Sequence, residues 1–232
     1  MKILLIGEDR RIEEMKCKLK GLEFEIDRSD GDEDEDYQDY DVIFDLNFDD
    51  NPERIDLYTS LKNKHIFLST VKISLAEAVF ISETKVKCKL YGINALAGFI
   101  DKELWEVSVF QDYLKDDLEK VLNDMKVSFQ LVQDRIGMVT PRILFMIINE
   151  ACYTVQEGTA SKEDIDLAMK FGTNYPAGPF EWADRIGISD VFESLISIYE
   201  DTKDERYKVC ALLKRQYLLN RPFFKKKVLE ST

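Results

Sequence analysis

The chain has 232 residues, 45% hydrophobic and 33% charged, with a net charge of −13 at pH 7. That length suits one or two globular domains, and the acidic balance argues against nucleic acid as a partner. No apolar run approaches the roughly 18 residues of a membrane span, and no charged-then-apolar leader opens the chain, so no membrane association and a cytoplasmic location are expected.

The first element reads as a strand. Ile3–Ile6 is an unbroken apolar run, Gly7 closes it, and a helical pattern covers residues 10–20. A buried strand passing through glycine into a helix is how many nucleotide-binding domains begin. Short apolar runs at 24–26, 41–46, 65–69, 88–93, 104–110 and 127–132 read as further strands, with a helical pattern at 113–125. Strands alternating with helices point to βαβ units and a largely parallel sheet. Residues 30–41 hold eight acids and no base. They lack the spaced ligands of a calcium loop and read as a solvated loop. The four cysteines, Cys17, Cys88, Cys152 and Cys210, form no CxxC pair. Buried reduced thiols are expected, and no metal site.

From Arg142 onward the pattern is helical. Gly158 ends one helix, and Ser161 with Asp164 three residues later starts the next as a capping-box variant. Gly172 is expected to end that helix in a left-handed conformation. Pro179 suits a first helical position, Gly187 closes its helix, and Ser189 is expected to cap the next, over 190–201. A last helix is expected over 206–219, and the basic cluster Lys225–Lys227 reads as a solvated tail. The expected architecture is α/β plus all-α. A trimmed Rossmann-like domain (1–134) is followed by an all-helical domain of about five helices (135–232), with the boundary near 133–137.

The segment 149–187 gives this plan a family. Asn149-Glu150-Ala151, Glu157-Gly158, Asp164-Ile165-Asp166, Ala168-Met169, Tyr175-Pro176 and Gly178-Pro179-Phe180-Glu181 occur in an order that resembles the C-terminal domain of the 3-hydroxyacyl-CoA dehydrogenases. The resemblance implies an NAD-binding Rossmann domain, a helical domain that makes a homodimer interface and helps to enclose an acyl-CoA, and hydride transfer at the 3-position of the acyl group. It also implies a histidine base, a glutamate that orients it, and a serine and an asparagine at the substrate oxygen.

Carried over residue by residue, the family's site is altered. The stretch resembling the histidine segment reads Gly92-Ile93-Asn94, so Asn94 stands in place of the base. The orienting glutamate, twelve residues on, is retained as Glu106. An amide cannot take up a proton near neutral pH, and losing a general base costs roughly 10²–10⁴ in rate. The one histidine, His65, opens a strand and is expected to be packed or exposed rather than catalytic. In the substrate segment Thr70 is retained, while Val71 and Lys72 replace two serines, and Pro141 replaces the usual asparagine before Arg142.

The cofactor loop is altered too. Of the three glycines expected for NAD only Gly7 is present, and Glu8 and Asp9 place carboxylates where a pyrophosphate would lie. Two like charges 4 Å apart repel by about 4 kcal/mol at an effective dielectric near 20. Arg10 and Arg11, early in the helix, are expected to point to solvent. Asp27, twenty residues after Gly7, has the spacing of the acid that binds the NAD ribose. Three readings follow. One is an NAD-dependent 3-hydroxyacyl-CoA dehydrogenase. Another is a non-catalytic homologue that keeps the architecture and binds acyl-CoA, a different nucleotide or a protein partner. The third is a structural or assembly module with no ligand.

Overall fold

The computed structural model describes residues 1–31, 35–82 and 84–224, which leaves Lys225–Lys227 and part of the acidic run outside the described residues. The chain falls into two compact units that divide between Val139 and Thr140. The first is built on a seven-stranded sheet: β1 (Lys2–Ile6), β2 (Glu25–Ser29), β3 (Val42–Asp45), β4 (His65–Ser69), β5 (Lys89–Ile93), β6 (Leu104–Val109) and β7 (Ser128–Leu131). Their order in space is β2-β1-β3-β4-β5-β6-β7. Strands β1 to β5 are mutually parallel, β6 is antiparallel to β5, and β7 is parallel to β6.

Central strands are apolar at nearly every position because both faces are covered. Ile3, Leu5, Phe44 and Phe67 pack with Ile12 and Met15 of α1 (Asp9–Lys18) and Leu118 and Val121 of α4 (Lys115–Asp124). Leu4, Ile6, Ile43 and Ile66 pack on the opposite face with Ile55 and Tyr58 of α2 (Ile55–Thr59) and Leu75 and Ala78 of α3 (Leu75–Ile81). Each such side chain, fully buried, is worth roughly 1.5–3 kcal/mol. The connection from β2 to β3 carries a single 3-10 turn, Tyr37–Asp39, among its described residues, and Tyr37 and Tyr40 are its buried anchors. Strand β2 is an edge of the sheet.

Strand β2 differs from expectation. It runs to Ser29 rather than ending near residue 26, because none of its five residues is fully buried and the polar ones after Ile26 read as loop. Asp27 consequently lies inside the strand, paired with Leu4, instead of following it.

The second unit holds α5 (Thr140–Gln156), α6 (Lys162–Gly172), α7 (Pro179–Ile186), α8 (Ile188–Thr202) and α9 (Ala211–Leu218). Ser161 caps α6 by accepting the Asp164 N–H at 3.1 Å, and Pro179 opens α7. Three boundaries depart from the sequence reading. Gly172 lies inside the last turn of α6, and the left-handed residue is Asn174, at φ +58°. Ser189 is not a cap, because Gly187, at φ +120°, turns the chain directly into α8. Residues 205–207 form one 3-10 turn capped by Asp204, so α9 starts at Ala211, not near 206. The unit boundary also falls later than 134/135. Gly137 N–H donates to Val71 O at 2.7 Å and Val139 N–H to Glu106 Oε2 at 2.9 Å, which ties residues 135–139 to the sheet.

Candidate functional site

Two places at the carboxyl ends of the parallel strands collect polar side chains. The first lies over β4, β5 and β6. In the antiparallel β5–β6 pair Gly92 faces Ser108 and Ile93 faces Val107. Continued by one step, that register sets Asn94 opposite Glu106, which is why residues twelve apart in sequence belong to one site. Asn94 is 8% exposed, and its Oδ1 is used locally, accepting the Leu96 N–H at 3.4 Å. Glu106 holds the incoming segment through Val139.

Thr70 follows β4, donates its N–H to Ile93 O at 3.1 Å, and is buried. Its hydroxyl and that of Ser108 lie over Gly92, so close that a Cβ there would sit 2.3 Å from Thr70 Oγ1 and 2.5 Å from Ser108 Oγ. Among the described residues neither hydroxyl has a hydrogen-bond partner. Glycine at position 92 is thus required by close approach. Thr70, Asn94 and Glu106 share this end of the sheet. Pro141 stands in the other unit, as the second residue of α5.

The second place is the crevice between β1 and β3, where the strand order reverses. Ligands of open α/β sheets bind at such a switch point. Gly7, at φ +148°, makes the turn out of β1. A dinucleotide loop offers its next N–H groups to phosphate. Here the Glu8 N–H is already accepted by Asn47 Oδ1 at 2.8 Å, and a Cβ on Gly7 would sit 2.8 Å from the same oxygen. The remaining cleft, lined by Gly7, Glu8, Asp30, Asn47, Asn51 and Arg54, measures about 190 Å³. Small-molecule sites usually span about 300–1,000 Å³. The residues present do not fit the pyrophosphate of NAD. Asp27 does not line this cleft either: it lies 3.4 Å from Lys2 Nζ and accepts the Tyr40 hydroxyl at 3.2 Å.

Arg11 reverses an expectation. It is 1% exposed rather than turned to solvent, because the start of α1 packs over the end of β3. Its Nη1 donates to Leu46 O at 2.6 Å and its Nε to Glu8 Oε1 at 3.2 Å, with Asp49 Oδ1 4.0 Å away. Asp49 Oδ2 in turn accepts the Ser69 hydroxyl at 3.0 Å and the Val71 N–H at 3.2 Å. Sequence reasoning missed Asn47 and Asp49, because Asn and Asp just beyond a strand read as ordinary turn formers.

The signature residues of the helical unit act as locks. Asn149 donates to Lys208 O at 2.9 Å and accepts the Cys210 N–H at 2.8 Å, fastening the approach to α9 onto α5. Asp166 of α6 accepts the N–H groups of Phe180 and Glu181 at 2.9 and 3.1 Å, capping α7 from outside. Gly178 leaves room for it, since a Cβ there would meet Asp166 Cγ at 2.1 Å. Arg142 reaches the Tyr207 hydroxyl at 3.3 Å.

Known proteins carry the same pattern. The family model described as "3-hydroxyacyl-CoA dehydrogenase, C-terminal domain" matches residues 137–227. The 3-hydroxyadipyl-CoA dehydrogenase of Escherichia coli is 41% identical over 88 residues, which is 38% of this chain but only 18% of that protein's length. The 3-hydroxybutyryl-CoA dehydrogenase of Clostridioides difficile is 30% identical over 197 residues, covering 80% of this chain and 68% of that one. A crystal structure of (S)-3-hydroxybutyryl-CoA dehydrogenase from Ralstonia eutropha shares the fold at a TM-score of 0.73 and 20% identity, over 94% of each chain. The likeness thus extends from the helical unit through the sheet, and the chain belongs to the 3-hydroxyacyl-CoA dehydrogenase family.

Proposed function

We propose that this chain binds an acyl-CoA thioester but does not carry out the hydride transfer of its family. The observation behind this reading is the Asn94–Glu106 pair. Continued one step past Ile93–Val107, the β5–β6 register brings this amide opposite the carboxylate, and resemblance to the family supports reading Asn94 as standing where the base is expected. An amide can donate to a thioester carbonyl, so recognition survives where proton transfer does not. Acyl-CoA is the favoured ligand because relatives across the sheet and the helices are named for 3-hydroxybutyryl-CoA.

Thermal unfolding with acetoacetyl-CoA, together with an NADH-consumption assay, tests the proposal. A ligand at a hundred times its Kd stabilises the fold by about 2.7 kcal/mol. For a chain of this size that raises Tm by roughly 5–10 °C. The expected result is such a shift with no NADH consumed. NADH oxidation at about 1 s⁻¹ or faster, within the ordinary enzyme range, would refute the loss of redox chemistry. No shift with acetoacetyl-CoA would refute the thioester site.

A further inference from the structure

The loop after β1 carries two carboxylates, and charge repulsion is the obvious reason for it to reject a pyrophosphate. The side chains around it point elsewhere. Asp9 is 84% exposed and lies 2.6 Å from Arg28 Nη1, and Glu8 Oε1 lies 3.2 Å from Arg11 Nε. Both charges already have a guanidinium beside them. Asn47, by contrast, is uncharged and stands in the crevice itself. Its Oδ1 takes the Glu8 N–H and sits where a Cβ of Gly7 would go.

Asn47 is also pinned, through its backbone and its side-chain amide. Asn47 N–H donates to Asp45 Oδ1 at 3.2 Å, Asn47 Nδ2 to Asp50 Oδ2 at 3.2 Å, and Asn47 O accepts from Asn51 Nδ2 at 3.2 Å. Asp50 is itself held by Lys72 Nζ at 2.5 Å. Swinging Asn47 aside would break its bonds to both Glu8 and Asp50.

We infer that Asn47 is the residue that excludes a dinucleotide from this crevice, by taking the loop's hydrogen bond and its space, and that the charges of Glu8 and Asp9 contribute little. This is independent of the Asn94 reading. It concerns whether NAD binds, whereas Asn94 concerns what happens to a bound thioester.

The test is an NADH fluorescence titration of the full chain, with amide hydrogen exchange of Glu8 followed by NMR. Wild type is expected to bind NADH more weakly than about 1 mM and to protect the Glu8 amide. Asn47→Gly should lose that protection while the amides of β1 keep theirs, and should bind NADH at least about tenfold more tightly, since a freed N–H can now meet a phosphate charge. Asn47→Ala serves as a second variant with the same expectation should the glycine form fail to fold. The Glu8→Gln/Asp9→Asn double variant should change affinity less than twofold. Three results would overturn the inference. One is NADH binding by wild type that shifts the Gly7–Ile12 amide resonances. Another is unchanged affinity in the Asn47 variants. The third is a gain in the charge-neutral variant equal to theirs.

Discussion

Asp45, fully buried, and His65, half-buried, are shifted in opposite electrostatic senses. Asp45 ends β3 with no exposed surface, and burial raises its carboxyl to about 6 from 3.8, although the Tyr58 hydroxyl at 2.8 Å and Arg54 at 3.6 Å pull it down. A raised folded-state value means that the stabilising contribution is complete below pH 3.8 and is lost as pH rises through 6. The full loss is about 3 kcal/mol. His65 behaves in the reverse way. Burial, with Lys89 nearby, lowers its imidazole to about 4 from 6.5, and its ring stacks on Tyr91. Its contribution is complete above pH 6.5 and is lost as pH falls through 4. Between pH 4 and 6.5 the two oppose each other, so wild-type stability should change little on their account. In Asp45→Asn, stability should rise with pH across this window. In His65→Gln it should fall, because Asp45 then acts alone. Urea unfolding across pH 4–7 measures both, and parallel profiles for wild type and the two variants would contradict the assignment. The sequence left His65 either packed or exposed on its strand, and the stacking on Tyr91 decides for packed. The ionisation of Asp45 was not legible in the sequence, because nothing in D-V-I-F-D-L says which acid the helices cover.

At the scale of elements, sequence marks those whose signal is local. The unbroken apolar runs of β1, β3 and β4 are central strands covered on both faces, and Ser161, Pro179 and Gly187 mark helix ends through their own backbone chemistry. Edge strand β2 carries a weaker signal, since the polar run Asp27-Arg28-Ser29 resembles a loop. Helix α7 shows a cap that no local pattern reveals. Its first N–H groups are satisfied by Asp166, which lies twelve residues before Gly178 in sequence, and Gly178 must lack a side chain to admit it. Asp166→Ala should therefore cost about 2–3 kcal/mol, for two N–H groups left without their acceptor. Gly178→Ala should cost about 1–3 kcal/mol through overpacking. The double variant should lose less than the sum by about 1 kcal/mol or more, because the added methyl then enters space that Asp166 has vacated. Additive losses in urea unfolding would mean that the two residues act separately.

At the scale of the whole molecule, the two units differ in how far apart in sequence their contacts lie. Every ladder of the sheet joins strands apart in sequence, β1 to β3 and β6 to β7 among them, whereas the helical unit closes its backbone hydrogen bonds within its helices, although α5 also meets α7 and α9. Non-local pairing slows folding. Each unit holds one tryptophan. Trp105 is buried on β6 with its indole N–H on Ile100 O at 2.8 Å, and Trp182 stands on α7. In stopped-flow refolding, Trp105→Phe, which reports Trp182, should recover fluorescence at least tenfold faster than Trp182→Phe, which reports Trp105; one shared rate would show that the units fold together. Sequence by itself determined the strand and helix succession, the change from mixed to helical composition, and the family, because periodicity, caps and ordered signature residues are local properties of the chain. By resemblance to that family it also set Asn94 where the base is expected. Only the tertiary structure decided that β5 and β6 pair in a register that brings Asn94 and Glu106 to one end of the sheet, that Arg11 turns inward, and that Asn47 fills the crevice beside Gly7. Those outcomes depend on which strand ends lie side by side, and in a sheet ordered β2-β1-β3 the neighbours of Gly7 come from forty residues further along the chain.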